Sequence, residues 1–309
     1  MTPQLHIGLI GLDTPHAVTF TTLLHDAASP HHVAGGRVVA AYPGGSRDFH
    51  LSWSRVGSFT KELRDNHEVE ILDSPEAVAE RCDAILLTAV DGRAHRELFE
   101  RISRYGRPTF IDKPFATRAA DAEAIAARAR DAGIPLMAAS SLRFSDSLRT
   151  VLVDYAASEI IGADFFGPME LEPTQPGLFW YGVHSVEMLY AVLGRGCQQV
   201  TAFTNNDHDL IVGVWADGRI GTIRGNRKGN SIFGGVVHRQ RGSQPVDANR
   251  DDSLAKYARL LKQVLQMFAS GKATLDLEET VETIRFMEAA NESRYSGQPM
   301  SLPLHAIDA

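Results

Sequence analysis

Cysteine is scarce: Cys82 and Cys197 are the only two in 309 residues, far apart and without ligand spacing. They read as buried thiols in a reducing compartment. Positive charge is also short. With 31 Lys+Arg against 38 Asp+Glu, the formal charge of -7 leaves no basic footprint for nucleic acid and no polybasic surface for a membrane. No apolar run approaches the roughly 20 residues of a spanning helix. Met1 to Leu12 lacks a charged n-region, a twin-arginine pair and a small-residue cleavage site, so no export signal is read and a cytoplasmic location is expected. What remains is an ordinary soluble composition, 44% apolar and 22% charged, long enough for two domains with separate cores.

The first half alternates. Leu5 to Ile10 reads as a buried strand ended by Gly11, and Thr14-Pro15 opens a helix with a cap and a proline at its first position. Arg37 to Tyr42 reads as strand two, followed by Pro43-Gly44-Gly45 and a less regular piece. Val69 to Leu72 is a short strand, Ser74-Pro75-Glu76 opens a helix, and Ala84 to Val90 is a strand. A helix follows from Ala94 to Tyr105, then a strand from Pro108 to Ile111, a helix from Thr117 to Ala132 and a strand from Ile134 to Ala139. Apolar strands alternating with helices of about 10–15 residues predict a doubly wound parallel sheet over residues 1–144.

Residues 145–309 change character. A helix near Ser147 to Ala157 leads to a mixed region around Glu170 to Trp180, and Tyr181 to Leu193 is helical up to Gly194. Leu210–Trp215 and Ile220–Arg224 flank the hairpin signal Asp217-Gly218, and Ile232 to Arg239 is another strand. Two long helices close the chain. Leu254, Tyr257, Leu261, Val264, Leu265 and Phe268 share a face of the first, and Asp276 with Glu279 opens the second. The second domain is therefore expected to be α+β with a largely antiparallel sheet.

Chemistry should gather at strand ends. Lys113, at the carboxyl end of a strand and fixed by Pro114, sits where open α/β sheets place ligands. A dinucleotide cradle of the form G-x-G-x-x-G has Gly11 at its first position but Asp13 and His16 at the second and third. Asp13 brings a like charge towards phosphates and Pro15 removes a donor; the His16 and Ala17 amides remain. A plain strand–turn–helix fits the same residues. No acid closes strand two to hold a ribose, whereas Ser46 and Arg47 suit a 2′-phosphate, a lean towards NADP over NAD. His184-x-x-Glu187 has one-turn metal spacing but lacks two further ligands, so no metal is expected. His208 and Asp209 read as a solvated polar loop.

Together these features resemble the Gfo/Idh/MocA family of glucose–fructose oxidoreductases and inositol dehydrogenases. The resemblance rests on Ile7 to Gly11, Thr88 to His95 and Asp112-Lys113-Pro114 in place of the family's Glu-Lys-Pro. It also rests on Arg143-Phe144 and on Gly182-x-His184-x-x-Glu187 before a helix ending in Leu193-Gly194. It implies an NAD(P)-dependent dehydrogenase acting on a secondary alcohol of a sugar, polyol or similar compound. Lys113 would orient the hydroxyl and His184 accept its proton. Gly11, Asp13, Thr14, His16, Ser46, Arg47, Thr88, Asp91, His95, Asp112 and also Lys113 would serve the cofactor, with Arg143, Trp180, Tyr181 and Glu187 beside the substrate. A homodimer or homotetramer is implied, formed through an open face of the second sheet.

Three departures stand out. Trp180 occupies the place of the family acid four residues before the histidine, with Tyr181 and Glu187 as candidates to compensate. The glycine fingerprint is broken at Asp13 and His16, and Asp112 is shorter than the usual glutamate. Two other readings stay open. One is a same-fold enzyme that recycles its cofactor in place for epimerisation, elimination or glycoside cleavage. The other is a ligand-binding relative without catalysis, favoured by Trp180 and Asp13 and opposed by Lys113 and His184.

Overall fold

The computed structural model describes residues 4–153, 159–250 and 252–302, which form two compact units. The first takes the chain up to Ala116, then Ala120–Ala139 and Tyr257–Leu277; the second takes Thr117–Ala119, Ser140–Lys256 and the chain from Glu278. The division differs from a linear boundary at 144. The chain leaves the first unit at Ser140, and Tyr257–Leu277 returns to it.

In the first unit, β1 (Leu5–Ile10), β2 (Gly36–Tyr42), β3 (Glu70–Ile71), β4 (Ala84–Leu87), β5 (Thr109–Ile111) and β6 (Leu136–Ala138) form one parallel sheet. Its order is β3-β2-β1-β4-β5-β6, so the chain reverses direction across the sheet between β1 and β4. Five helices connect the strands: α1 (Pro15–His25), α2 (His50–His67), α3 (Pro75–Arg81), α4 (His95–Ser103) and α5 (Ala119–Asp131). The caps follow from the sequence. Thr14 accepts the His16 amide, Ser74 accepts the Ala77 amide, and each is followed by proline at the first helical position.

The piece expected to be irregular after β2 is the 18-residue helix α2. Its pattern is hard to read because only Ser52 and Leu63 are buried, no side chain caps it, and it stops at Glu68 rather than at a glycine.

The second unit contains α6 (Asp146–Val153), β7 (Ile160–Pro168), α7 (Gly182–Leu193), β8 (Cys197–Thr204), β9 (His208–Trp215), β10 (Ile220–Asn226), β11 (Gly234–Arg239) and β12 (Gly242–Asp247). Then come α8 (Ser253–Ser270), α9 (Leu277–Ser296) and β13 (Met300–Ser301). From Tyr257 onward α8 packs with the first unit. The Tyr257 ring lies 6.0 Å from Phe20, and a Cβ on Gly36 would meet Leu265 at 3.3 Å.

The second sheet has the order β12-β11-β7-β10-β9-β8-β13. It is antiparallel except for β7 against β10. Helix α7 covers one face closely; a Cβ on Gly221 of β10 would come within 2.7 Å of Leu193 and 2.8 Å of Leu189. On the other side Phe203, Leu210 and Ile220 are exposed.

Strands β7, β8 and β12 were not anticipated. Glycines and Pro168 interrupt β7, glutamines open β8, and Pro245 lies in the edge strand β12, where a missing donor is tolerated. The end of the helix expected over 147–157 lies outside the described residues. The expected loop at His208 and Asp209 is instead the start of β9. The Asp209 side chain is fully buried, held by Arg227 and by Arg294 at 2.9 Å. Both cysteines are buried and free, and burial pushes each thiol up to about 12.

Candidate functional site

In the first unit the loops after β1, β2 and β4 enclose a cavity of about 450 Å³, within the range of small-molecule sites. It opens at the carboxyl ends of these strands, at the reversal point where doubly wound sheets bind ligands. Gly11 makes the first turn possible. Its φ is +90° and a Cβ there would lie 2.4 Å from Ala89, so no side chain fits. The Gly11 amide donates to Tyr42 O at 2.9 Å, the Leu12 amide to Pro43 O at 2.8 Å, and the Thr88 hydroxyl to Gly11 O at 2.7 Å. Three strand ends are thereby locked around the cavity. Gly44, Gly45, Ser46 and Arg47 line one wall and Ala89 and Ala94 another. The glycine-lined cradle fits a dinucleotide.

Asp13 also lines the cavity, but its carboxylate is spoken for. Oδ1 accepts the Val90 amide at 2.9 Å and Oδ2 the Ser52 hydroxyl at 2.5 Å. Burial raises its pKa, opposed by these two hydrogen bonds. The like charge expected against phosphates is therefore absorbed internally. Ser52 also accepts the Ser46 amide at 2.7 Å, tying α2 to the cavity wall. Sequence reading missed Ser52 because the helix carrying it was missed.

His16 does not present its ring to the cradle. Nδ1 lies 2.5 Å from Asp112 Oδ2 and Nε2 lies 2.8 Å from the Tyr257 hydroxyl. Burial would raise the Asp112 pKa, but the His16 and Lys113 charges outweigh it and hold the carboxyl low. Lys113 follows at the end of β5, partly buried and joined to Pro114 by a cis peptide. Its amide donates to Asp112 Oδ1 at 2.9 Å. Desolvation lowers the pKa of the ammonium, with Asp112 opposing. His95 is fully buried, its ring bridging Ala89 O at 2.8 Å and Phe115 O at 3.1 Å. Asp91 is buried against Arg93. Thr88, Asp91 and His95 thus act as struts of the cavity wall.

In the second unit the start of α7 carries the other candidates. His184 Nδ1 meets the Ser140 hydroxyl at 2.7 Å, and its ring stands edge-on between Tyr181 at 6.0 Å and Phe233 at 5.4 Å. Trp180 stacks edgewise on Tyr181 at 6.0 Å. Arg143 binds Glu187 at 3.2 Å and also Glu279. Burial raises the Glu187 carboxyl to about 7, with Arg143 and the Ser140 amide opposing and Glu279 adding. Arg143 and Glu187 therefore form an internal ion cluster. Ser140 and Glu279 had no signal in the sequence as site residues. Among the described residues no group of three His, Cys, Asp or Glu side chains is placed to hold a metal ion. Among them, too, no helix is long and apolar enough to cross a membrane.

Residues 50–140 match the model of the Gfo/Idh/MocA family, described as an oxidoreductase family with an NAD-binding Rossmann fold. Over that segment the chain is similar to the NAD-binding domain of those oxidoreductases. Comparison with curated proteins gives no match. Among solved structures, a probable dehydrogenase from Thermotoga maritima is similar with a TM-score of 0.79 at 16% identity, over 96% of this chain and 98% of that one. A myo-inositol dehydrogenase from Corynebacterium glutamicum gives 0.78 at 16% identity over 98% and 100%. An oxidoreductase from Agrobacterium radiobacter, solved with NAD+, L-tartaric acid and magnesium, gives 0.75 at 18% identity over 97% and 98%. At these identities the likeness shows the fold; the likeness to NAD-binding oxidoreductases rests on the family match over residues 50–140.

Proposed function

We propose that the chain is an NAD(P)-dependent oxidoreductase acting on a secondary alcohol of a sugar, polyol or similar hydroxy compound. The observation that carries this reading is the cavity at the β1–β4 reversal, with a desolvated lysine at the end of the adjoining strand β5. The bound nicotinamide would supply the hydride chemistry. Lys113 orients the hydroxyl and offsets negative charge as it develops there. His184, steadied by Ser140, accepts the proton. The names of the C. glutamicum and A. radiobacter relatives support small polyhydroxy compounds as the substrate class. Ser46 and Arg47 at the cavity support NADP.

The test is nicotinamide reduction against a panel of polyols and sugar acids. Lys113→Ala and His184→Ala are each expected to lower turnover by about 10²–10⁴-fold while nucleotide affinity is kept. Undiminished turnover in Lys113→Ala removes that residue from the mechanism.

A further inference from the structure

Arg93, in the turn between β4 and α4, binds two carboxylates at once. Nη1 and Nη2 fork onto Asp48 at 2.9 and 3.0 Å. Nε and Nη2 reach Asp91 at 3.0 and 2.8 Å. Asp91 is buried in the same turn after β4, whereas Asp48 follows Ser46 and Arg47 in the loop leaving β2. One guanidinium thus staples together the two loops that wall the cavity.

The staple also decides whether Asp48 adds its charge to the cavity. A carboxylate after strand two accepts the ribose hydroxyls of NAD, and its charge disfavours a 2′-phosphate. Asp48 is the first acid after β2, and both of its oxygens are held by the Arg93 fork. It is absent from the cavity lining, where this loop contributes Gly44, Gly45, Ser46 and Arg47. The other charged groups lining the cavity are Asp13, Glu97 and Arg101. Asp13 is engaged by Ser52 and Val90, and Arg101 is forked onto Glu76 at 2.7 and 2.8 Å. Arg47 is exposed and has no ion-pair partner among the described residues.

We propose that Arg93 is a specificity-determining residue: by holding Asp48 out of the cavity it sets the site for NADP over NAD. This rests on the nucleotide-binding reading above. The experiment titrates the full chain with NADPH and with NADH, following nucleotide fluorescence, with circular dichroism as a check on folding. The wild type is expected to prefer NADPH. Arg93→Ala, which releases Asp48, should cut that preference about tenfold or more, the scale of one charged contact. The double variant Arg93→Ala/Asp48→Asn should restore it, because no carboxylate is left to release.

A double variant no better than the single one overturns the proposal, since the staple would then serve only the loop's shape. A wild type preferring NADH also overturns it while leaving the nucleotide reading standing. Failure of the wild type to bind either nucleotide sinks that reading, and the inference with it.

Discussion

Glu187 should make the stability of the second unit depend on pH. It lies on α7, one turn beyond His184, and shares the single guanidinium of Arg143 with Glu279. A buried and a half-buried carboxylate facing one cation leave an excess negative charge in a poor solvent for it. Burial is the main reason that Glu187 rises from 4.5 to about 7. The folded chain therefore holds this proton more tightly than the unfolded chain does. The stability it contributes is complete below about pH 4.5 and is lost as pH rises through about 7. At about 1.4 kcal/mol per tenfold change in proton affinity, the full loss is about 3–4 kcal/mol, of which about 2–3 kcal/mol falls between pH 5 and 8.

Glu187→Gln keeps an acceptor for Arg143 and for the Ser140 amide but removes the charge, leaving Arg143 and Glu279 as a one-to-one pair. Urea denaturation of both proteins from pH 5 to 8 measures the difference. The variant should gain on the wild type by about 2–3 kcal/mol across that interval. A difference that stays flat with pH would refute the argument, because the carboxyl would then titrate alike in the folded and unfolded chains.

Two further outcomes are expected. Ser140→Ala should lower kcat about tenfold, the value of about one hydrogen bond, and should shift the ¹⁵N resonances of His184, with Ser140→Thr restoring both. Unmoved His184 resonances would show that the hydroxyl does not position the ring. The exposed Phe203, Leu210 and Ile220 on the open face of the second sheet lead us to expect a dimer or tetramer by light scattering, and a monomeric mass would refute it.

The nucleotide-binding half was legible because its signals agree. Buried apolar strands alternate with helices from Leu5 to Ala138, with side-chain caps at Thr14 and Ser74 and with Gly106 and Gly133 after α4 and α5. Legibility failed where those signals separate. Helix α2 buries little and ends at a glutamate in the left-handed region, φ 57°. The strands of the second sheet carry glycine and proline because a helix or another strand must approach closely, as at Gly221. Strand ends revealed Lys113 and Gly11, since topology alone places ligands there. Partners remote in the chain left no local trace: Ser140 is 44 residues from His184 and Tyr257 is 241 from His16.

The broken fingerprint shows why position-by-position comparison misleads. In the sequence, His16 in place of a glycine and Asp112 in place of a glutamate are two separate departures from the family pattern. In the fold they are one feature. The shorter acid stops short of where a glutamate would reach, and the imidazole of His16 meets it at 2.5 Å, with the Tyr257 hydroxyl closing the far side of the ring. His16 gives the buried carboxylate a partner, and the ring fills the space between Asp112 and Tyr257. Asp112 therefore remains a charged group beside Lys113, its pKa held low mainly by His16 once burial is overcome. The pair thus sets the electrostatic surroundings of the lysine, whose ammonium Asp112 favours against desolvation.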